Sequence, residues 1–453
     1  MKVKLPRLVI KVMKVLEKAG FEVYVVGGAV RDLLSKTKVY DWDFTTNAKP
    51  EEIMKLFEDS FYDNAFGTVG VAEKHLGGKG DGVFEITTFR SESSYSDKRR
   101  PDKVVWGNSL KEDLKRRDFT INAMAIKCLQ GETLQVEIID PFNGQKDLKD
   151  KLVRAVGEAD KRFNEDALRM MRAIRIAAQL GFSIEEKTLK AIGKNSSLIN
   201  QIAMERVRDE FIKIIASHYP KDGVLMLFSG GLLEHIAPEL IKTRGVEQAG
   251  HHTKDVWNHS IDALEACPSP NPIVRMATLL HDIGKPKSNM DRGEGKEITF
   301  YNHEVIGARM VKVIARRLKM SKKEIDLLWL LVRWHMFAYD THMTDKAIRR
   351  FIRRIGVENI DNMMSLRVGD RVGGGTKATS WRLEELKKRV EKVQYTPMQV
   401  KDLKISGHDV MKILKIKGGR KVGEVLSKLF DEVMEDSEKN EREYLLKRVK
   451  EMK

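Results

Sequence analysis

The sequence predicts an α+β protein: a mixed α/β unit in the first third, followed by an almost wholly helical remainder. Two observations carry that reading. Short β-rich runs, FEVYVVGG, VFEITTF and LQVEIID, are interleaved with helical segments between residue 21 and about 150. From about 151 onward EDALRMMRAIRIAAQL, MERVRDEFIKIIA, NPIVRMATLL, IGARMVKVIARRL and KEIDLLWLLVRWH set apolar residues at helical spacing, and strand signals nearly stop. The chain has 453 residues, and at about 100 to 200 residues per domain it holds several domains. With 42% hydrophobic and 33% charged residues it can bury real cores and is neither fibrous nor disordered.

Taken in order, MKVKLPRLVIKVMKVLEKAG carries a charge every few residues and reads as a basic amphipathic helix, not a leader. VYVVGGAVRDLL reads as a strand turning through Gly27 and Gly28 into a helix that bears Arg31 and Asp32. Breaks are expected at GGLL near 230, at CPSPNP (267–272), at MDRGEGKE (290–297) and at GGGT (373–376). GGRKVG at 418–423 reads as a plain helix start in preference to a phosphate-holding loop. Lys and Arg number 82 against 66 Asp and Glu, so the net charge of +16 attracts polyanions. Cys128 and Cys267 are the only cysteines, too few for a disulfide framework, and no run approaches the ~20 apolar residues of a membrane span. The cytoplasm is the expected compartment.

Two places carry chemistry on their own terms. Glycines at a strand-to-helix turn let a triphosphate approach backbone N–H groups and the helix dipole. In YDWDFTT, Asp41 and Asp43 lie two apart on an extended segment and face one side, where paired carboxylates chelate Mg²⁺ bridging to substrate phosphates.

Read in order, GGAVRDLL, DWDFTT, EITTFR, YSDKRRPDKVVW, RRDFTINAMA, IDPFNGQKDL, EDALRMMRAIRIAAQLGF and MERVRDEF resemble the class II tRNA nucleotidyltransferase and bacterial poly(A) polymerase family over residues 21 to about 215. The resemblance implies a polymerase-β-like nucleotidyltransferase head, a mixed sheet with helices, over 1–150. A helical neck that recognises the base follows (151–225), then a helical HD-type body (226–390) and a helical tail that contacts tRNA (391–453). By motif, Asp41 and Asp43 would hold Mg²⁺, and Gly27, Gly28 and Arg31 the triphosphate. Arg116, Arg117, Asp118 and Asn122 would contact ribose and phosphates. Glu85 is either a third carboxylate of the catalytic strands or a strand salt bridge. The chemistry implied is in-line attack of a tRNA 3′-hydroxyl on the α-phosphorus of CTP or ATP, with release of pyrophosphate.

Asp166 and Arg169 are three apart in a strongly helical run and are expected to share a face. An acceptor-only Asp beside a donor-only Arg complements the amino donor and ring-nitrogen acceptor of cytosine and adenine and repels uracil and guanine. The resemblance assigns nucleotide reading to Glu165, Asp166 and Arg169. Arg172 and Arg175 continue the same basic helix and face solvent, tRNA or nucleotide, with Arg172 counted among the nucleotide-binding candidates. Residues 94–102, SYSDKRRPD, match the loop of members that add full CCA or A.

Further along, His259, His281, Asp282, His303, His335 and Asp370 occur in the order of an HD-domain metal-dependent phosphohydrolase, while His251 and His252 fall outside that pattern. The resemblance makes His259, His281, Asp282 and Asp370 the ligands of a divalent ion (Mn²⁺, Ni²⁺, Co²⁺ or Zn²⁺), with His303 and His335 serving a second metal or the phosphate. It implies 2′,3′-cyclic phosphodiesterase or phosphatase activity. The expected partners are the tRNA 3′ end, CTP and ATP, with no membrane and no protein partner. Three readings compete: A-only or poly(A) addition with an inactive HD region, a hydrolase with a secondary head, and a basic RNA-binding protein with a vestigial head. Mere RNA binding has no use for juxtaposed carboxylates in a basic chain.

Overall fold

A computed structural model describes residues 5–62, 67–78, 80, 82–92, 104–107, 109–129, 136–248, 254–288, 299–337, 339–340, 342–393 and 399–452. The 94–102 loop, His251, His252 and the break at 290–297 lie outside them. The chain divides into two compact units, Met1–Pro238 and Glu239–Lys453.

The strands are β1 (Val23–Val26), β2 (Asp43–Thr46), β3 (Ser60–Tyr62), β4 (Thr68–Ala72), β5 (Val83–Thr88), β6 (Arg90–Glu92), β7 (Val104–Trp106), β8 (Ala125–Cys128), β9 (Val136–Ile139), β10 (Leu152–Val153) and β11 (Ser183–Ile184). Seven of them form one mixed sheet in the order β3-β4-β5-β2-β1-β8-β9, in which β2 and β5 run parallel. The three β-rich runs become β1, β5 and β9, and the α+β expectation holds.

β1 lies inside the sheet between β2 and β8, and all four of its residues are buried. The helix Arg7–Lys18 sets Val9, Val12, Met13 and Leu16 at helical spacing and buries them with Val25, Phe44 and Ile86 on one face of the sheet. On the other face Tyr24, Val26, Phe89, Leu110, Leu114 and Ala125 form a second, smaller core. β2 and β5 therefore split their side chains by alternation. Phe44, Phe84 and Ile86 go into the first core, while Asp43, Glu85 and Thr87 line the opposite face.

After residue 150 the first unit is helical apart from β10 and β11, a two-stranded parallel pair. One local expectation fails there: EDALRMMRA is not one helix. Ala159–Glu165 ends, Asp166 is extended at φ −140° and ψ 105°, and the next helix spans Leu168–Leu180. The break has a local cause, since the Asp166 carboxylate accepts from the Leu168 N–H at 3.0 Å and so satisfies a free donor at the new helix start.

In the second unit, Ile360–Gly373 crosses Val256–Ala266 at very close range. A Cβ on Gly369 would stand 2.7 Å from the Ala263 carbonyl oxygen, and one on Gly373 would stand 2.7 Å from the Ala263 nitrogen. Only glycine permits that approach, which brings Asp370 to His259. Leu403, Val410, Leu429, Phe430, Val433, Leu445 and Val449 close a separate core at the C-terminal end. Arg349 ties it to the preceding helices by donating to the Met434 carbonyl from Nε (3.0 Å) and Nη2 (2.8 Å). GGRKVG leads directly into the helix Arg420–Glu435. Among the described residues no helix is long and apolar enough to cross a membrane.

Candidate active site and a second candidate metal centre

The exposed face of β2 and β5 floors a cleft of about 380 Å³. Asp43 and Glu85 stand opposite each other in the parallel register, so both carboxylates enter the cleft side by side. Val26 pairs with Asp43 across β1, which delivers the Gly27 turn to the same spot. Gly27 has φ +74°, and a Cβ there would sit 3.3 Å from Asp43 Oδ2 and 3.2 Å from Arg117 Nη1. The positive φ favours glycine, and a Cβ there would crowd the Arg117 and Asp43 side-chain ends. Burial pushes the Asp43 carboxyl up; Arg117 pulls it back, and the nearby Asp41 charge adds to the rise. Asp41 itself is exposed, just ahead of β2.

The walls are cationic. Arg116, Arg117, Arg169, Arg172 and Arg90 all line the cleft, together with Asp118, Asn122 and Asp166. Arg172 grips Asp118 through Nε (2.9 Å) and Nη2 (2.6 Å). Burial opposes ionisation of Asp118, but Arg172 prevails and brings it down to about 2. Arg169 is anchored on three sides: Nη1 donates to Glu165 (2.6 Å) and to the Arg162 carbonyl (3.3 Å), and Nη2 to the Arg116 carbonyl (3.2 Å). Asp166 and Arg169 thus meet in the cleft although only Arg169 is helical.

Arg31 goes elsewhere, bonding Asp32 (2.8 Å) and Asn122 Oδ1 (2.9 Å). Arg175 is held by Glu210 at 2.6 Å. Sequence reasoning did not single out Arg90, Arg206 or Asp113. Arg206, from MERVRDEF, reaches Asp166 at 3.4 Å. Asp113 binds both Arg116 and Arg117. Its only sequence signal is an i, i+3 and i, i+4 spacing shared by countless surface ion pairs.

The second unit gathers all six residues of the histidine pattern around a cavity of about 590 Å³. His259 Nε2, His281 Nε2 and an Asp370 oxygen cluster at 3.0 to 3.5 Å from one another. His303 Nε2 and His335 Nε2 lie 3.3 Å apart, and each faces Asp282 Oδ1, at 3.2 and 3.6 Å. Asp282 turns its other oxygen to His281 (3.3 Å) and His259 (3.5 Å), so one carboxylate joins the two groups.

The Nδ1 atoms of His281, His303 and His335 bond to the carbonyls of Thr278 (2.7 Å), Phe300 (2.8 Å) and Val332 (2.8 Å). A carbonyl only accepts, so each Nδ1 carries the proton and each Nε2 presents its lone pair inward when the ring is neutral. Burial works against a charged His281, but Asp282 and Asp370 outweigh it and push the imidazole up to about 10. Around the rim, Lys285 donates to Asp282 Oδ2 (2.6 Å) and Arg367 to Asp370 Oδ2 (2.8 Å). Neither cation was singled out from sequence, although Lys285 follows directly in HDIGK.

Both donor sets suit divalent ions. Asp43 and Glu85 offer hard oxygens in a basic cleft, and the buried cluster offers mixed nitrogen and oxygen ligands within 4.8 Å of one another in each of its two groups.

Comparison with known proteins accords with this geometry. The Poly A polymerase head domain family matches residues 23–154. The family described as the probable RNA and SrmB-binding site of polymerase A matches 181–243, and the putative tRNA nucleotidyltransferase domain 2 family matches 305–449. The CCA-adding enzyme of Lactobacillus helveticus (strain DPC 4571) is 53% identical over 215 residues, which is 47% of this chain and 51% of that protein. The CCA-adding enzyme of Ligilactobacillus salivarius (strain UCC118) is 33% identical over 453 residues, 98% of this chain and 96% of that protein. The crystal structure of the Bacillus stearothermophilus CCA-adding enzyme in complex with CTP superposes with a TM-score of 0.74 at 27% identity, covering 99% of this chain and 98% of that one. By that full-length relationship the chain belongs to the CCA-adding enzyme family: it is a nucleotidyltransferase with a polymerase-β-like head and a helical remainder.

Proposed function

We propose that this chain builds or repairs the 3′-CCA end of tRNA from CTP and ATP, without a nucleic-acid template, in the cytoplasm. The observation that carries the reading is the single cleft in which Asp43 and Glu85 stand in register on β2 and β5, facing Arg116, Arg117, Asp166 and Arg169. Mg²⁺ held by Asp41, Asp43 and Glu85 would supply activation of the attacking 3′-hydroxyl and stabilisation of the leaving pyrophosphate. Arg116 and Arg117 hold the triphosphate in line, with the Gly27 turn leaving room for it. Arg31 acts through Asn122, which it orients, and Arg172 keeps Asp118 ionised as an acceptor for ribose.

Asp166 and Arg169 choose the base. The anchoring of Arg169 fixes which of its N–H groups point into the cleft, so cytosine and adenine find a preset donor and acceptor. The division into head (1–150), neck (151–225), body (226–390) and tail (391–453) belongs to the same proposal, with tRNA spread along the helical part. Incubation of the protein with tRNA lacking its 3′ end and each single NTP tests it. CTP is incorporated first, ATP only after two cytidines, and UTP and GTP hardly at all. A poly(A) polymerase would instead extend repeatedly with ATP alone.

A second activity is favoured by one specific feature, the Asp282 carboxylate that turns one oxygen to each histidine group. Mn²⁺, Ni²⁺, Co²⁺ or Zn²⁺ there would lower the pKa of bound water for hydrolysis of a cyclic or terminal phosphate. Lys285, Arg367 and Arg371, which line the same cavity, would hold the phosphate oxygens. A tRNA ending in phosphate cannot be extended, so this hydrolysis would prepare the substrate of the head.

A further inference from the structure

Beneath the cleft lies an acid that the cleft itself does not expose. Asp113, in the helix Leu110–Lys115, has a fully buried side chain at 0% exposure. Its Oδ1 accepts from Arg116 Nε (3.0 Å) and Nη2 (2.8 Å), and its Oδ2 accepts from Arg117 Nη2 (3.2 Å). Both arginines line the cleft and Asp113 does not. Arg117 therefore stands between two carboxylates, with Asp113 behind it and Asp43 in front, close enough to Asp43 to pull its carboxyl down. A guanidinium in that position has two ways to fail: it can swing away from the triphosphate, or it can close onto Asp43 and compete with the ion that Asp43 holds.

We propose that Asp113 is a positioning residue that fixes Arg116 and Arg117 as a paired triphosphate clamp and holds Arg117 back from Asp43, keeping that carboxylate open to the divalent ion. The proposal rests on the head reading above. A buried acid that gives one oxygen to each of two arginines is pre-organised, so little ordering is left for the moment the nucleotide arrives. Were the pairing only structural, its loss would change the melting temperature and leave nucleotide affinity and ion requirement in place.

The test uses the full chain with Asp113→Asn, which keeps shape and removes charge, and Asp113→Glu, which keeps charge and lengthens the arm. CTP binding is measured without tRNA by calorimetry over a series of Mg²⁺ concentrations, alongside single-CTP addition and thermal melting. For Asp113→Asn the Kd for CTP rises about 10- to 100-fold, as expected for the loss of charge-assisted contacts. Half-maximal addition needs more Mg²⁺, and kcat at saturating CTP and Mg²⁺ falls far less than affinity. Asp113→Glu gives a smaller shift in the same direction, and it decides the matter if the Asn variant does not fold. In an Arg117→Ala background, Asp113→Asn adds much less to the CTP Kd than it does alone. A folded Asp113→Asn or Asp113→Glu protein with wild-type CTP affinity and Mg²⁺ profile overturns the proposal. Failure of the head reading looks different: there Asp43→Ala retains nucleotide addition, whatever Asp113 does.

Discussion

The cleft of the first unit and the histidine cluster of the second both combine acids with cations, but they distribute the charges differently. In the cleft, Asp43 and Glu85 share the sheet face while the arginines occupy the walls, and Asp113, Glu165 and Asp118 tether those arginines. In the cluster, acids and imidazoles already face one another inside the protein, with His281, Asp282 and His335 exposed by only 1%, 3% and 1%. A set of hard oxygens would share its ion with the incoming triphosphate, whereas a nitrogen-rich donor set would hold its own ion between turnovers. The chain thus offers two kinds of candidate donor set, one in each compact unit, and the contrast can be attacked from either side.

The largest effect belongs to the cleft acids. Asp43→Ala should lower CTP and ATP addition by about 10³-fold or more, measured as single-turnover incorporation, while tRNA binding by gel shift stays near wild type. Next comes ion retention. After dialysis against a mild chelator, wild-type protein should keep transition metal by elemental analysis, and Asp282→Ala should lose it from both histidine groups while still adding CTP. Retention of Mg²⁺ by the cleft under the same dialysis would erase the distinction between the sites.

Much of this was legible in the sequence, for a physical reason: the acids and histidines occur in short strings whose order follows the chain through the site. β1 and β5 could be placed from β-rich runs and turn residues and β2 from the extended segment that carries Asp43, while the six residues of the histidine pattern line one cavity with Asp282 grouped beside His303 and His335. What could not be read were properties that exist only once the chain is folded. Asp113 looks like any helix ion pair until its burial is known. The extended backbone at Asp166 is set by one capping hydrogen bond inside a run with strong helical periodicity, so the pattern hides the break. Arg31 lies in the expected helix, yet its side chain turns to Asn122, 91 positions away.

Smaller effects sharpen the account of the cleft. Asp166→Ala or Arg169→Ala should cost about 1 to 3 kcal/mol of discrimination between CTP and UTP, read from the ratio of kcat/KM values, with less loss in the rate of misincorporation. Equal selectivity in both variants would remove these residues from base choice.

The smallest effect concerns pH. The folded Asp118 carboxyl lies at about 2, below its ordinary 3.8, so its pairing with Arg172 stabilises the fold fully above the ordinary value. That contribution is lost as the pH falls through about 2. The difference in melting temperature between wild type and Asp118→Asn should therefore be constant at neutral pH and shrink between about pH 4 and pH 2. A difference that grows on acidification would contradict the pairing.

The most direct test of two separate sites is a single substrate that needs both: a tRNA lacking CCA and ending in a 2′,3′-cyclic phosphate, incubated with CTP, ATP, Mg²⁺ and Ni²⁺. Wild type should deliver tRNA with a complete CCA end. Asp43→Ala should accumulate tRNA with no added nucleotide and a free 3′-hydroxyl, reached by two hydrolyses in which one water opens the cyclic diester to a monoester and a second releases inorganic phosphate, and Asp282→Ala should leave the cyclic phosphate in place yet extend a tRNA that already has the hydroxyl. If Asp43→Ala still completes CCA, or if both variants fail at the same step, the two-site account is contradicted.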